Sequence, residues 1–193
     1  MFPPLLARLR EEAPGIIVVV RRANYLLLPS LLTSNEVSVG ISYTTDLPAN
    51  ATRKKLRDIG VKVLRGDKRP SPLTLDEYCE RGHTMVSFSG DLSGNIDLDL
   101  AKVGRTRSVV VAVPQFSSLR ALLVGTDLIA TVPDYAACAL VEGSDLRAED
   151  PPFHIEPVEL SMVWSGVHDN DPAERWLRSR IFEFMSQEAR PIP

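Results

Sequence analysis

The feature that most constrains the fold is the stretch at residues 108–133, which reads SVVVAVPQFSSLRALLVGTDLIATVP. Its opening β-branched run predicts a strand buried on both faces, and Pro114 ends that strand because proline cannot donate to a sheet ladder. Apolar residues then recur at helical spacing, and Gly125 stands where a left-handed cap would close the helix. A second apolar run follows at residues 127–132. The stretch therefore predicts a β-α-β unit with parallel strands, in which ligands bind where strands end and helices start.

The composition is that of an ordinary globular domain. The chain has 193 residues, of which 44% are hydrophobic and 24% charged, and its net charge of −3 argues against a surface that grips nucleic acid. Cys79 and Cys138 stand far apart without metal-ligand spacing, so we expect neither a disulfide framework nor a metal site. No apolar run approaches the length of a membrane span. We expect a cytoplasmic protein with no cofactor and no membrane partner.

The remaining elements follow from periodicity and from start and stop signals. Thr74 and Glu77 have the spacing of a capping box, and Asp171 with Pro172 marks the start of the last helix. The predicted helices lie at residues 2–13, 25–32, 74–81, 95–103, 134–141 and from 172 onward, and the further predicted strands at 16–20, 37–41, 61–64, 84–88 and 158–164.

Polar loops follow two of the predicted strands. The loop SGDLSG (residues 89–94) has small residues whose backbone N–H groups could face an anion beside a helix start. It lacks the Gly-Lys-Ser/Thr ending of a P-loop, and an ordinary strand–helix turn accounts for it about equally well. Gln115, Phe116, Ser117 and Ser118 occupy the equivalent position in the central unit. Two such loops in one parallel sheet favour a small-molecule site with donors for a carboxylate or phenolate.

The sequence offers no catalytic constellation. His83, His154 and His168 are scattered, and the acidic residues around the last of them are typical of helix capping rather than of a metal site. No serine or cysteine stands in a nucleophile elbow, and Cys138 lies in the apolar run YAACALV, which predicts a core position. We therefore expect that the protein is not an enzyme.

Several segments in order resemble one known family. The central stretch, then LSMVW and DPAERWLRSRIF, with FPPLLARLREEAPG at the start and SPLTLDEY in the middle, resemble the effector-binding domain of LysR-type transcriptional regulators. The similarity is to the branch that regulates aromatic degradation and nodulation, and it covers nearly the whole chain. It implies an α/β fold of two lobes, similar to type 2 periplasmic binding proteins, each lobe a mostly parallel sheet flanked by helices. Lobe I would comprise residues 1–82 and 157–193, and lobe II residues 83–156.

The resemblance also implies a function. A small effector, carrying a carboxylate or an aromatic ring, would bind in the cleft between the lobes and bias an attached DNA-binding domain. The chain would pair as a homodimer or tetramer, with the first helix as a contact, and would reach DNA only through a winged helix-turn-helix that is absent here. The residues expected on the cleft wall are Phe88, Ser89, Gly90, Gln115, Phe116, Ser117 and Thr126.

Two departures from the family leave alternatives open. Gln115 stands where relatives of this branch usually carry histidine, and the strand that opens the family's domain has no counterpart before Met1. The alternatives are a solute-binding protein that feeds a transporter, an enzyme on the same fold, and a truncated dimerisation partner without ligand binding. The lack of a signal peptide argues against the first, and the lack of catalytic groups against the second.

Overall fold

The computed structural model describes residues 2–23, 26–43 and 46–187, and the chain divides into two compact units. The first unit comprises Met1–Asp58 and Val158–Pro193, and the second comprises Ile59–Pro157. The helices are α1 (Phe2–Glu12), α2 (Leu28–Thr33), α3 (Leu75–Glu80), α4 (Asn95–Lys102), α5 (Leu119–Leu123), α6 (Asp134–Val141) and α7 (Pro172–Gln187). The strands are β1 (Val39–Ser42), β2 (Ala51–Ile59), β3 (Val61–Arg65), β4 (Gly82–Val86), β5 (Ser108–Val113), β6 (Ile129–Pro133), β7 (Arg147–Glu149) and β8 (Val158–Ser165).

The first unit is built on a three-stranded sheet in the order β1-β8-β2, in which β1 and β8 are antiparallel. Leu28 and Leu32 of α2 pack against Val163, on one face of β8. Trp164 is the next residue along the strand, so its side chain is on the other face. The guanidinium of Arg178 from α7 lies over the Trp164 ring. The helices α2 and α7 therefore cover opposite faces of β8.

The last helix starts as predicted. The Asp171 carboxylate accepts the backbone N–H groups of Ala173 and Glu174, both at 2.9 Å. The capping box before α3 is also confirmed, since the Glu77 carboxylate accepts the N–H of Thr74 at 3.0 Å and the Thr74 hydroxyl accepts that of Glu77 at 3.2 Å. Short-range polar signals thus located both helix starts. Tyr25, where we predicted the second helix to begin, lies outside the described residues.

The prediction of a buried strand at residues 16–20 was wrong. This run belongs to no strand of the described structure, and Ile17 and Val19 are 87% and 77% exposed. A β-branched run carries a preference for extended backbone, but only a paired neighbour and a covering layer make it a buried strand. The described residues supply neither to this run.

The second unit is built on a five-stranded sheet in the order β5-β4-β6-β3-β7. Its β4 is parallel to both β5 and β6, whereas β3 is antiparallel to both β6 and β7. The β-α-β unit is thus confirmed, with β4 inserted between its two strands, and Gly125 has the positive φ (76°) expected of the helix cap. The sheet is mixed, because β3 is antiparallel to both of its neighbours, whereas the resemblance implied a mostly parallel sheet in each lobe.

The prediction that β5 is buried on both faces was also wrong. β5 is an edge strand, and Val110 is 55% exposed. Cys138 is likewise exposed rather than in the core, because the buried face of α6 is formed by Ala136 and Ala137. An apolar run fixes a preference for burial but not which of its residues face inward.

The sequence missed two strands, β2 and β7. β2 reads ATRKKLRDI, and its charges hide the alternation of a strand. Arg53 of β2 donates from Nε to the Ser161 hydroxyl of β8 at 3.0 Å, so this charged side chain connects the two neighbouring strands. We placed the first division between lobes near residue 82. In the structure, residues 59–82 group with the second unit because β3 pairs with β6 and β7.

A buried arginine holds the connection after β3. Arg65 is fully buried and donates to the carboxylates of Asp67 (2.6 Å) and Glu149 (2.9 Å) and to the Ser71 carbonyl (2.7 Å). A buried charge is tolerated where pairing and hydrogen bonds replace water. These bonds join β3, β7 and the charged connection into one network.

A buried histidine lies at the start of β4. His83 Nε2 donates to the Tyr78 carbonyl at 2.8 Å, and the Tyr78 ring contacts the imidazole edge-on with centroids 4.6 Å apart. Nδ1 is buried, and no described residue hydrogen-bonds to it. Burial, which disfavours the imidazolium, lowers the pKa of His83 to about 4. His83 is therefore neutral in the native state at neutral pH.

The exposure of residues 16–20 can be tested with one substitution. Ile17→Ser should change the free energy of unfolding by less than about 0.5 kcal/mol, because an exposed side chain loses no packing. Leu9→Ala in α1, where Leu9 is 2% exposed, is the matched buried control and should cost about 2–5 kcal/mol. Chemical denaturation measures both. A comparable loss at Ile17 would show that the run is buried after all.

The low pKa of His83 predicts a pH dependence of stability. Unfolding returns His83 to a pKa near 6.5, so between about pH 6.5 and pH 4 the unfolded state binds a proton that the native state excludes. The free energy of unfolding should then fall by about 1.4 kcal/mol per pH unit from this group as pH drops through that window. His83→Gln, measured by urea denaturation, should show a correspondingly shallower slope there and an unchanged slope above pH 6.5. Equal slopes in that window would contradict the prediction.

Candidate functional site

Two predicted loops begin side by side in the second unit. Val86, the last residue of β4, is opposite Val113, the last residue of β5, and the N–H of Ser87 donates to the Val113 carbonyl at 2.9 Å. Because parallel strands end at the same edge of a sheet, the loops that follow share that edge. We call the residues that lie at this edge of the sheet the carboxyl-end site. Of the predicted site residues, the loops bring to it Phe88, Ser89, Gly90, Gln115, Phe116 and Ser117.

The sequence missed a third contributor to this edge. β6 is also parallel to β4, and it ends at Pro133, directly before α6. Tyr135 in the first turn of α6 contacts Phe116 edge-on, with ring centroids 6.5 Å apart and planes at 74°. Tyr135 therefore belongs to the carboxyl-end site. The rule that selected the other loops, a strand end followed by a helix start, would have found it.

Thr126 lies at the other edge of the sheet. It precedes β6, whose first residue Ile129 is opposite His83 near the start of β4. The Thr126 hydroxyl donates to the Leu122 carbonyl at 2.8 Å and accepts the N–H of Leu128 at 3.3 Å. These bonds close the turn after α5. The structure therefore does not bring Thr126 to the other six residues.

The helix start beside the loop 89–94 already holds a carboxylate. Asp97, in the first turn of α4, accepts the N–H of Gly94 at 2.7 Å and two hydrogen bonds from Arg107, at 2.9 and 3.0 Å. Burial opposes ionisation of Asp97, but the bonds from Arg107 outweigh it and hold the pKa of this carboxyl below its ordinary value. The anion-binding capacity of this helix start is thus met from within the chain.

The loop 89–94 is partly committed as well. The Ser89 hydroxyl donates to the Asp91 carboxylate, while Gly90 adopts a positive φ of 87° with open space around its α-carbon. Such a backbone conformation is accessible to glycine at little cost. The loop therefore offers Gly90 as a point of close backbone approach rather than a ring of unused donors.

The unused donors of the site lie on the β5 loop. The side chains of Gln115 and Ser117 are exposed, and among the described residues neither has a hydrogen-bond partner. The Phe88 ring is 50% exposed, and Phe116 is half-buried beside Tyr135. A neutral amide, a hydroxyl and three aromatic rings can hydrogen-bond a small molecule and pack against it. These groups provide no general base or activated nucleophile.

Two further observations concern ions and membranes. Within residues 2–23, 26–43 and 46–187, no three His, Cys, Asp or Glu side chains come close enough to hold a metal ion together. In the same residues, each helix is too short or too polar to cross a bilayer.

Comparison with known proteins identifies the family. The sequence profile of the LysR substrate binding domain matches residues 1–186. The crystal structure of the regulatory domain of MexT, a transcriptional activator in Pseudomonas aeruginosa, is similar with a TM-score of 0.90 and 65% sequence identity, and the match covers 95% of this chain and 92% of that one.

Two curated relatives agree with this match. The HTH-type transcriptional activator NahR of Pseudomonas putida is 28% identical over 188 residues, which cover 96% of this chain and 63% of NahR. Nodulation protein D 3 of Rhizobium leguminosarum bv. phaseoli is 31% identical over 205 residues, which cover 100% of this chain and 64% of the relative. The chain therefore spans just under two thirds of the length of these relatives. It belongs to the LysR substrate binding domain family, whose regulatory domains have an α/β fold like that of type 2 periplasmic binding proteins.

Proposed function

We propose that this chain senses a small effector for a LysR-type transcription regulator, and that the carboxyl-end site contacts an effector carrying a carboxylate or an aromatic ring. The observation that carries the proposal is the parallel alignment of β4 with β5. It places Phe88 and the unused donors of Gln115 and Ser117 at one edge of the sheet, with Phe116 and Tyr135 beside them. Rings pack against an aromatic effector, and neutral donors bind carboxylate or phenolate oxygens.

Solved domains of the same fold support binding of a small molecule. The effector-binding domain of QuiR is in complex with shikimate, and the regulatory domain of Synechocystis PCC6803 CcmR is in complex with 2-PG. Their identities to this chain are 11% and 13%, so the likeness is one of fold. The effector of this chain is therefore inferred from its own residues.

Regulation requires that the effector prefer one conformation of the parent protein. An effector shifts an equilibrium only by the difference in its affinity for the two states. In our proposal the parent is a cytoplasmic homodimer or tetramer, and it contacts DNA through a winged helix-turn-helix outside this chain. The groups of the carboxyl-end site can bind a small molecule but provide no general base or activated nucleophile, which favours a regulator over an enzyme.

A thermal-shift screen tests the proposal. Aromatic carboxylates, aliphatic acids and amino acids are each added to the 193-residue chain. A ligand at about 100 times its Kd should raise the midpoint by about 5–10 °C, because it binds only the native state. Gln115→Ala should weaken binding by about tenfold, since one hydrogen bond to the effector is lost.

The matched control is Thr106→Ala. Thr106 is also exposed, but it precedes β5 and so lies at the amino end of the strand. This variant should respond to the effector like the unmodified chain. If no chemical class shifts the midpoint, the sensing proposal fails, and a dimerisation module without ligand binding becomes the better interpretation.

A further inference from the structure

The chain passes from the first unit into the second without a loop between the strands. Asp58 ends the first segment of the first unit, Ile59 is the last residue of β2, and Val61 is the first residue of β3. Gly60 therefore stands alone between a strand of the three-stranded sheet and a strand of the five-stranded sheet. Residues at the ends of elements are among those that absorb backbone changes when a protein changes conformation. The contacts of Gly60 thus bear on how a signal can leave the second unit.

Gly60 is paired with the first residue of α6. Val61 of β3 is opposite Pro133 of β6, and the antiparallel pairing continues for one more residue, since the Asp134 N–H donates to the Gly60 carbonyl at 2.9 Å. The Gly60 N–H donates to Oδ2 of the Asp134 carboxylate at 3.3 Å. Asp134 therefore holds both backbone polar groups of Gly60, one with its own backbone and the other with its side chain.

The same carboxylate holds the start of α6. The residue before the helix is Pro133, whose side chain offers no acceptor, and Oδ1 of Asp134 accepts the N–H of Tyr135 at 2.5 Å. The first N–H groups of a helix need acceptors from outside its own ladder, so this bond orders the turn that carries Tyr135. The Tyr135 ring in turn contacts Phe116 in the carboxyl-end site. One carboxylate thus connects the backbone at Gly60 with an aromatic ring of the candidate site.

An ordinary helix start accounts for only part of this arrangement. Capping requires an acceptor for the first N–H groups of the helix, and the bond from Tyr135 to Asp134 meets that need. The bond from Gly60 is additional, and it joins the carboxylate to a residue 74 positions earlier in the chain. Asp134 and Tyr135 therefore connect three segments that are far apart in sequence: the passage between the units, the start of α6 and the loop after β5.

We propose that Asp134 is a positioning residue that couples an occupied carboxyl-end site to the backbone at Gly60, which rests on the effector site proposed above. An effector that packs against Phe116 and Tyr135 restricts the first turn of α6. Because this turn carries the Asp134 carboxylate, Gly60 is restricted with it. A ligand that orders one group changes the free energy of the groups that are ordered with it. All these residues lie in the second unit, so the coupling needs no contact outside it.

Amide hydrogen exchange of the 193-residue chain, resolved by NMR, tests the coupling without any ligand. Asp134→Ala removes the shared acceptor, so the Gly60 amide should exchange at least about tenfold faster. Asp134→Asn keeps one acceptor oxygen and should give an intermediate rate. Tyr135→Ala leaves the carboxylate in place but removes the ring that fixes the turn, and it should speed exchange at Gly60 by at least about threefold.

The ring variant makes the test decisive. A purely structural helix cap does not pass the loss of the Tyr135 ring on to Gly60, so unchanged exchange at Gly60 in Tyr135→Ala would overturn the proposal. This holds even if Asp134→Ala does not fold. Leu98→Ala, at an exposed position of α4 in the same unit, is the matched control and should leave exchange at Gly60 unchanged.

Benzoate, a simple aromatic carboxylate, separates this proposal from the function on which it rests. At a concentration that saturates the thermal shift, exchange at Gly60 should slow by at least about threefold in the unmodified chain and remain unchanged in Asp134→Asn. Binding of benzoate without slower exchange at Gly60 would overturn the coupling but not the sensing. If benzoate does not bind, the sensing of aromatic carboxylates fails, and the ligand-free comparison still decides whether Asp134 couples Tyr135 to Gly60.

Discussion

The parallel pairing of β4 with both β5 and β6 is the constraint on which the candidate site depends. Side chains that are far apart in sequence meet only because these three strands end at one edge of the sheet. The pairing is close at Gly82, where a Cβ atom would come within 2.9 Å of Leu128 Cδ2 and 3.1 Å of Val110 Cγ2. A larger residue at the start of β4 would have to displace both neighbouring side chains, so glycine there serves the packing of the strands that position the loops.

Each of the two units contains a buried arginine, and the two arginines have different partners. Arg65 in the second unit is surrounded by acceptors, from two carboxylates and a carbonyl, and serves to order a charged connection. Arg178 in the first unit is 6% exposed; its Nη2 donates to two carbonyls, its guanidinium lies over the Trp164 ring, and its Nη1 is 3.8 Å from the Glu174 carboxylate. Since burying a charge is favourable only when it is paired and hydrogen-bonded, both arrangements are structural: Arg65 relies mainly on carboxylates, and Arg178 on carbonyls, an aromatic ring and a longer ion pair.

The carboxyl-end site presents neutral polar groups to a ligand. The carboxylate of Asp97, beside the loop 89–94, accepts hydrogen bonds from Arg107 and from the backbone at the start of α4, so it is not presented to a ligand. The groups that remain, the Gln115 amide and the Ser117 hydroxyl, do not titrate in the ordinary pH range. In the function we propose, such a site would recognise its effector by shape, ring packing and neutral hydrogen bonds, and the domain belongs to a family of transcription regulators.

The sequence by itself determined what depends on neighbours along the chain. It located the caps at Thr74 and Asp171, the β-α-β unit, and the loops that became the carboxyl-end site, because capping and turn formation are short-range. Only the tertiary structure decided which apolar runs are covered: residues 16–20 are exposed and β5 is an edge strand, although both read as buried strands. It also brought Tyr135 to the site, separated Thr126 from it, and turned the charged segment at residues 51–59 into a strand. These outcomes depend on strand order and partner side chains, and no local pattern of residue types specifies either.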